Sequence, residues 1–555
     1  MIAYIVTVIL SGGFYAYSAM IAGILAVIAF LRKGGNRAAL KEAFITNGSH
    51  RITALNLKAL IPLLLCLYPF ISMLWAFDRP VHLEGAIRLS ALIPFILLFL
   101  LYDEKDKYRI LSAVPYLGSI MVMTGIISIP FDAVSSMFWQ SERFLGFFGY
   151  ANTCALFLFL SLAIRIGKME QQNIKGIGTK DIVMLLCLLS GILMTGCRSI
   201  LLLMIPWAIY KCIRNKRLLK YMLPAGAAIA AVAAIYAFVS DNEQNIGRIF
   251  TLSTHQSTIF GRILYIKDGI RLLPLFPFGL GFGGYYEVQP VYQNGLYNTR
   301  FVHNDYLQSC LDLGILPGLL IMTYLIFQII KGRQDERRKE YLVIILVSAL
   351  SDFHFQYLSI LITALLCLDL GTEERNIIID PGDRDITCMI VSGGLILFYS
   401  FFLIPFAAFY LHLDEQGLKL YPHETEAELR LLRTAETSGR AESLALSILS
   451  HDSLCAEAYR HLGYIGAMKE DYGAAVYYMD KMIDSDRYDI ESYRSYDKLL
   501  KGDLIPKALD SGDMESVRVM EEAGQRLEER LENLRNTTDP ISFRLRDKPV
   551  FTLYD

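Results

Sequence analysis

Charge is scarce in this chain: Lys, Arg, Asp and Glu make up only 19% of its 555 residues, while hydrophobic residues make up 54% and the mean hydropathy is +0.38. Such a mixture excludes an ordinary soluble globular domain and points to the bilayer as solvent. Cysteine is present nine times but never as CxxC and never at Cys/His ligand spacing, so neither a disulfide framework nor a zinc site is expected from spacing. The N-terminal stretch lacks a basic leader region and a small-residue cleavage site, so it reads as a retained span rather than a signal peptide.

What the chain has in quantity is apolar runs of roughly 17 to 25 residues, the length that carries a helix across the hydrocarbon core. About twelve are predicted, at 3–31, 56–77, 88–102, 109–130, 145–165, 182–197, 199–213, 219–239, 311–330, 341–352, 355–371 and 386–412, the first with room for a kink or re-entrant piece at Gly12-Gly13. Basic residues fall on alternate connections: Arg32, Lys33, Arg37 and Lys41; Lys105, Lys107 and Arg109; Arg165, Lys168, Lys175 and Lys180; Lys211, Arg214, Lys216, Arg217 and Lys220; Lys331, Arg333, Arg337, Arg338 and Lys339. The positive-inside rule makes these cytoplasmic. The turns near Asp78, Arg143, Arg198 and Asp352, the long segment 240–310 and everything after about Leu413 then face outward, with the nearly neutral 372–385 loop adding little weight. The expected location is the inner (cytoplasmic) membrane, multi-pass.

From Asp414 onward apolar runs stop and 19 Lys/Arg stand against 29 Asp/Glu, so this part carries about −10 and the rest about +8. The expected division is a polytopic membrane domain over 1–413, with 240–310 as its extracytoplasmic loop, and a soluble helical domain over 414–555. Leu462, Gly463, Tyr472 and Ala475 stand at tetratricopeptide-like spacing, with Gly466 and Arg487 departing from that pattern. A plain helical bundle is the alternative. The fold class is all-α.

The 240–310 loop holds the residues that suit chemistry. Gly279, Gly281, Gly283 and Gly284 with Pro274 and Pro277 forbid a regular helix there. Loops of this length inside a compact fold are usually functional. Aromatic faces suit sugar rings, and arginine forks suit phosphates. Gly261-Arg262-x-x-Tyr265-x-x-x-Gly269, then Pro277-x-Gly279-x-Gly281-x-Gly283, then His303-Asn304-x-Tyr306-Leu307 and Asp312-x-Gly314-x-x-Pro317-Gly318 follow in order. SMLWAFD at Ser72, RFLGFFGYANTCA at Arg143, TGCRSILLL at Thr195 and SDFHFQYLSI at Ser351 accompany them. The ordered set resembles the Wzy_C signature of the O-antigen ligase and polymerase family.

That resemblance implies a membrane glycosyltransferase of GT-C-like build, taking glycan from a polyprenyl (undecaprenyl) diphosphate-linked oligosaccharide to an acceptor glycan or glycolipid outside the cytoplasmic membrane. It implies catalytic roles for His303, Arg262 and Arg198 and substrate contacts for Arg143, Asn304, Tyr265, Asp352 and His354. Histidine suits proton transfer from an acceptor hydroxyl, and arginine suits the charge growing on a diphosphate leaving group. No carboxylate cluster resembling a metal site is legible, so no metal and no cofactor is expected; membrane lipid and polysaccharide-assembly proteins on the tetratricopeptide-like part are expected partners, nucleic acid is not. Each residue has a structural alternative: His303 opening the helix near Asn304, Arg262 as an interfacial cation, Arg198 as a turn cation, Asn152 as an interhelical hydrogen bonder and His255 as a solvated loop residue. A lipid-linked glycan flippase or transporter, or a membrane scaffold acting through its tail, are the competing functions; the first predicts internal repeats and midplane polar sites, the second a tail that works alone.

Overall fold

A computed structural model describes residues 1–33, 45–47, 53–171, 178–216, 257–371 and 386–554. The expected span 219–239, the 372–385 loop, the start of the long loop with His255, and the basic residues Arg37, Lys41, Lys175, Arg217 and Lys220 lie outside the described residues.

The first apolar stretch is two helices, α1 (Ile2–Ile9) and α2 (Ala16–Arg32), divided by a 3₁₀ turn at Ser11–Gly13. Gly12 has φ +64° there, and a Cβ on it would come within 2.5 Å of the Phe148 ring, so the expected kink is a close-packed break that only glycine fits. The short strands β1 (Ile45–Asn47) and β2 (Thr53–Leu55) pair antiparallel. Then come α3 (Leu57–Ser72), α4 (Arg79–Ser90), α5 (Leu92–Leu100), α6 (Glu104–Leu111), α7 (Val114–Ser128) and α8 (Asp132–Phe138). A two-residue hairpin follows, β3 (Trp139–Gln140) and β4 (Arg143–Phe144), whose turn residues Ser141 and Glu142 both have positive φ, as a tight turn matched to strand twist requires. Beyond it lie α9 (Ala151–Gln171), α10 (Thr179–Thr195) and α11 (Arg198–Arg214).

Helix α9 is the axis of the bundle. It packs on α7, α10 and α11, and its residues are apolar and buried on almost every side, the pattern of a helix with no solvent face. The chain continues through α12 (Ser257–Leu272), α13 (Gly284–Tyr292), α14 (Asp305–Leu313), α15 (Ile315–Lys331), α16 (Glu336–Ser348), α17 (Leu358–Cys367) and α18 (Ile386–Tyr410). Small residues let these helices approach: Gly23 on α2 faces the ring of Tyr399 on α18, whose hydroxyl donates to Ser90 O at 2.8 Å. Four helical stretches, Arg79–Leu100, Glu104–Ser128, Ala151–Gln171 and Cys388–Tyr410, are long and apolar enough to cross a membrane, and four shorter apolar helices accompany them. The chain is a multi-pass, all-helical membrane bundle with two minor strand pairs among the described residues. The runs expected at 88–102 and 109–130 are the later parts of the first two of these stretches.

The two ends of the bundle differ in chemistry. At one end Lys33 pairs with Asp106, Arg338 with Glu104 at 2.7 Å, and Lys211 with Glu170 and Glu340 at 2.7 and 2.8 Å, so the described basic residues of the alternate connections gather there and several of them are paired. The other ends of α9, α10, α11 and α16 bring together Asn152, Thr195, Arg198 and Ser348.

From Asp414 the helices are α19 (Asp414–Leu420), α20 (Thr425–Arg433), α21 (Ser438–His451), α22 (Ala456–Met468), α23 (Tyr472–Ser485), α24 (Ile490–Leu499), α25 (Ile505–Ser511) and α26 (Met514–Thr537). Helices α22 and α23 form an antiparallel pair in which Gly466 lies against the backbone of Ala475 and Gly463 against Met479. Two apolar cores, one around Leu432, Ile448 and Leu462 and one around Met479, Tyr496 and Leu527, hold this part together.

Candidate active site

Asp352 is the centre of the polar end. It lies in the turn between α16 and α17 and is 0% exposed. Its Oδ1 accepts hydrogen bonds from the Tyr150 hydroxyl at 2.9 Å, His303 Nδ1 at 3.1 Å and Phe353 N at 3.0 Å. Its Oδ2 accepts from Asn152 Nδ2 at 2.5 Å and Arg262 Nη2 at 3.1 Å. Burial works against the charge of this carboxylate, but the His303 hydrogen bond and the nearby His354, His303 and Arg262 outweigh it and hold Asp352 below the usual carboxylate range. An ionised carboxylate only accepts, so His303 Nδ1 is the donor, and in the neutral ring Nε2 keeps its lone pair.

Local backbone explains how His303 arrives there. Its φ is +53°, a left-handed conformation uncommon outside glycine and found mostly where surrounding structure enforces it. The enforcement is visible on both sides: Val302 N donates to Gln308 Oε1 at 3.0 Å, and Asn304 caps α14 by accepting from Leu307 N at 2.9 Å while donating to Leu350 O at 3.0 Å. Asp305 then joins the two segments, its amide donating to Ala349 O at 2.9 Å and its carboxylate accepting from Phe355 N at 3.0 Å. The His303 ring meets Phe353 edge-on at 5.1 Å and Tyr265 at 5.9 Å. Arg262 and Tyr265 stand three apart on α12, which puts both on one face.

The remaining expected residues divide into two groups. Arg143 belongs to the same network: its Nη2 donates to Asn152 Oδ1 and its Nε to Thr195 O, both at 2.8 Å, so β4 is tied through Asn152 to Asp352. His354 lies just beyond Asp352 with both nitrogens engaged, Nδ1 with Thr153 Oγ1 at 3.0 Å and Nε2 with Ser348 Oγ at 2.7 Å; burial pushes it down to about 4, so the ring is neutral at neutral pH. Arg198 opens α11 next to the Thr195 turn that holds Arg143, exposed and without a hydrogen bond or ion pair among the described residues. Tyr150 was not singled out from the sequence, although it sits in the Arg143–Ala155 motif two residues before Asn152; its role follows only from a contact 202 residues away.

The glycine motif holds the floor beside this cluster. Gly279, Gly281 and Gly283 have φ of +91°, +86° and +82°, an alternation that sets intervening amides and carbonyls toward neighbours. Leu280 N donates to Leu311 O at 2.7 Å, Gly281 N to Asp312 O at 3.0 Å, and Phe77 N to Leu280 O at 2.8 Å. His82 accepts from Phe282 N at 2.8 Å. The loop is thereby stitched to α14 and to the turn before α4. An apolar cavity of about 170 Å³ lies alongside, lined by Phe282, Phe355 and Leu358 and at its polar end by Arg88, Asp312 and Gln356. Arg88 is held by Phe14 O at 2.9 Å and Gln356 Oε1 at 2.6 Å.

The end of the chain braces the loop. Lys267 on α12 pairs with Asp539, Asp539 N donates to Asn294 O at 2.8 Å, Leu296 N to Ser542 Oγ at 3.1 Å, and Leu264 and Tyr297 pack with Leu545. Asp268, one residue further on α12, gathers Asn294 N, Asn294 Nδ2 and the Tyr297 hydroxyl at 2.8 to 2.9 Å.

Neither a curated protein nor a solved structure matches the chain. A family model does match, over about a quarter of its length from α10 into α15, which takes in Arg198, Arg262, Tyr265, His303 and Asn304 and ends before Asp352. The model is Wzy_C, described as O-antigen ligase, and residues 183–323 of this chain are similar to it.

Proposed function

We propose that this protein transfers glycan from a polyprenyl diphosphate-linked donor to an acceptor sugar hydroxyl on the outer side of the cytoplasmic membrane, as a polysaccharide polymerase or an O-antigen-type ligase. The observation that carries the reading is the convergence of His303 and Arg262 on one buried carboxylate, Asp352. Asp352 orients the imidazole so that Nε2 is the accepting atom. The acceptor hydroxyl gives its proton to Nε2 as its oxygen bonds to the anomeric carbon; the bond from that carbon to the diphosphate breaks, and its electron pair leaves on phosphate oxygen. Arg262 and the exposed Arg198 supply positive charge to that leaving group. Arg143 and Asn152 act through Asp352 as positioning residues, His354 fixes the turn behind Asp352 through Thr153 and Ser348, Asn304 sets the His303 backbone, and Tyr265 offers a ring face to sugar.

Sidedness is supported by the gathering of basic residues at the end of the bundle remote from His303, which the positive-inside rule makes cytoplasmic. The apolar cavity beside Phe355 suits a lipid chain. Residues 414–555 form a tetratricopeptide-like domain for assembly proteins in this reading, with 1–413 the membrane domain. Purified protein given the lipid-linked donor and an acceptor glycan is expected to release polyprenyl diphosphate and extend or cap the acceptor. Transbilayer movement of donor in liposomes without bond exchange would instead establish a flippase. In a deletion strain, single-repeat intermediates identify a polymerase and long unattached chains a ligase.

A further inference from the structure

Two histidines and a glutamate that are far apart in function from His303 converge where the tail meets the membrane bundle. Glu428 on α20 is buried, and its Oε2 lies 2.7 Å from Nε2 of His451, the last residue of α21. His423, just before α20, places Nδ1 3.9 Å from Glu428 Oε1. The ligand atoms of His423, Glu428 and His451 all lie within 4.8 Å of one another.

Two further features favour an occupant. His423 holds φ +65°, a left-handed backbone that a histidine adopts only against a steric cost, and this conformation accompanies a ring standing 5.4 Å from that of His451. Behind His451, Nδ1 lies 3.4 Å from Oδ2 of Asp78, a carboxylate that is 1% exposed and caps the start of α4. Asp78 accepts the Nδ1 proton from behind, so a metal entering between His451 and Glu428 would replace the proton that Nε2 now shares with the Glu428 carboxylate, leaving a histidine oriented as a metal ligand.

We propose that His423, Glu428 and His451 bind a zinc-class divalent transition metal, with Asp78 orienting His451 from behind. Two imidazole nitrogens and one carboxylate oxygen select this class over calcium or magnesium, which take oxygen donors. Donors at about 2.0 to 2.2 Å from zinc stand roughly 3.4 Å apart in a tetrahedron, so the His451–Glu428 pair at 2.7 Å opens slightly and the other separations, none above 4.8 Å, close by at most about 1.4 Å. A fourth position is open to water. The metal clamps α20 to the end of α21 and, through Asp78, ties both to the turn that carries Phe77 and to His82, whose partners are Leu280 and Phe282 of the glycine loop.

The test uses the full-length protein in detergent, stripped with chelator and dialysed, titrated with Zn²⁺ in a calorimeter, with Ca²⁺ and Mg²⁺ as comparisons. One equivalent of Zn²⁺ is expected at a Kd of about 1 μM or tighter, with a rise in Tm on addition. His423→Ala is expected to lower affinity at least tenfold. His423 is half exposed, so this variant keeps its chelator-state Tm, which separates lost binding from lost folding. Asp78→Asn is expected to weaken binding by about 10- to 100-fold while keeping one-to-one stoichiometry. Absence of a tight equivalent would leave only a histidine–carboxylate ion pair and overturn the proposal. Undiminished binding in His423→Ala, or equal affinity for Ca²⁺, would overturn it as well.

Discussion

Asp352 receives five donors from four separate parts of the chain, so removing its charge disturbs more than one contact. Asp352→Asn puts an amide where both oxygens accept, and breaking a buried ion pair of this kind costs about 3 kcal/mol or more; thermal unfolding in detergent is expected to fall accordingly, and glycan transfer to fall with it. His354 provides a second check through pH. Its value is lowered from 6.5 to about 4, so the unfolded chain binds the extra proton first, and stability present above pH 6.5 is lost progressively as pH falls toward 4. The shift corresponds to about 3 kcal/mol. Asp352 is also held low, but its contribution disappears only below the ordinary carboxylate range, so the two windows separate. Melting curves at pH 7.5 and 4.5 are expected to show a smaller acid loss in His354→Gln than in the parent; an identical loss would remove His354 as the cause.

Among the elements, the glycine loop shows what local chemistry can and cannot announce. Glycine at alternate positions with flanking proline is a statement about backbone, and the irregular segment it forbids from being helical is irregular between α12 and α13. Gly279 and Gly149 separate conformation from contact. Both have positive φ, but a Cβ on Gly149 would meet nothing within 4 Å, whereas one on Gly279 would come within 2.5 Å of Gly314 N and 2.8 Å of Leu313 C. Gly149→Ala is expected to cost about 1 kcal/mol, and Gly279→Ala several times that in the same melting assay; equal costs would mean the α14 junction yields. Asp352 was harder to read from sequence than His303. Its significance comes from Tyr150 and Asn152 about 200 residues earlier, and no periodicity or spacing encodes such a contact. A break in the first apolar stretch was legible because Gly12-Gly13 interrupts an otherwise unbroken run, but whether that break made one span or two was not, and the structure gives two helices.

For the whole molecule, apolar run length and the spacing of basic residues were enough to foresee a helical membrane bundle with chemically distinct ends, since both follow from the solvent rather than from tertiary contacts. The contact between the last residues and α12 was not legible, because it depends on Lys267 meeting Asp539 and on Leu545 covering Leu264. Removing residues 539–554 is expected to speed amide hydrogen exchange across 257–300 at least several-fold while leaving α9 unchanged. A scaffold acting through its tail predicts no change in that loop.

The central claim is that His303, oriented by Asp352, accepts the acceptor proton while Arg262 meets the leaving diphosphate. It is tested most directly by single-turnover transfer from a polyprenyl diphosphate-linked glycan with the purified parent, His303→Ala and Arg262→Ala, each confirmed to insert and to stay folded at the assay temperature. The account predicts a rate lowered by about 10²- to 10⁴-fold in His303→Ala and a comparable loss in Arg262→Ala; transfer at the parent rate in both would contradict it.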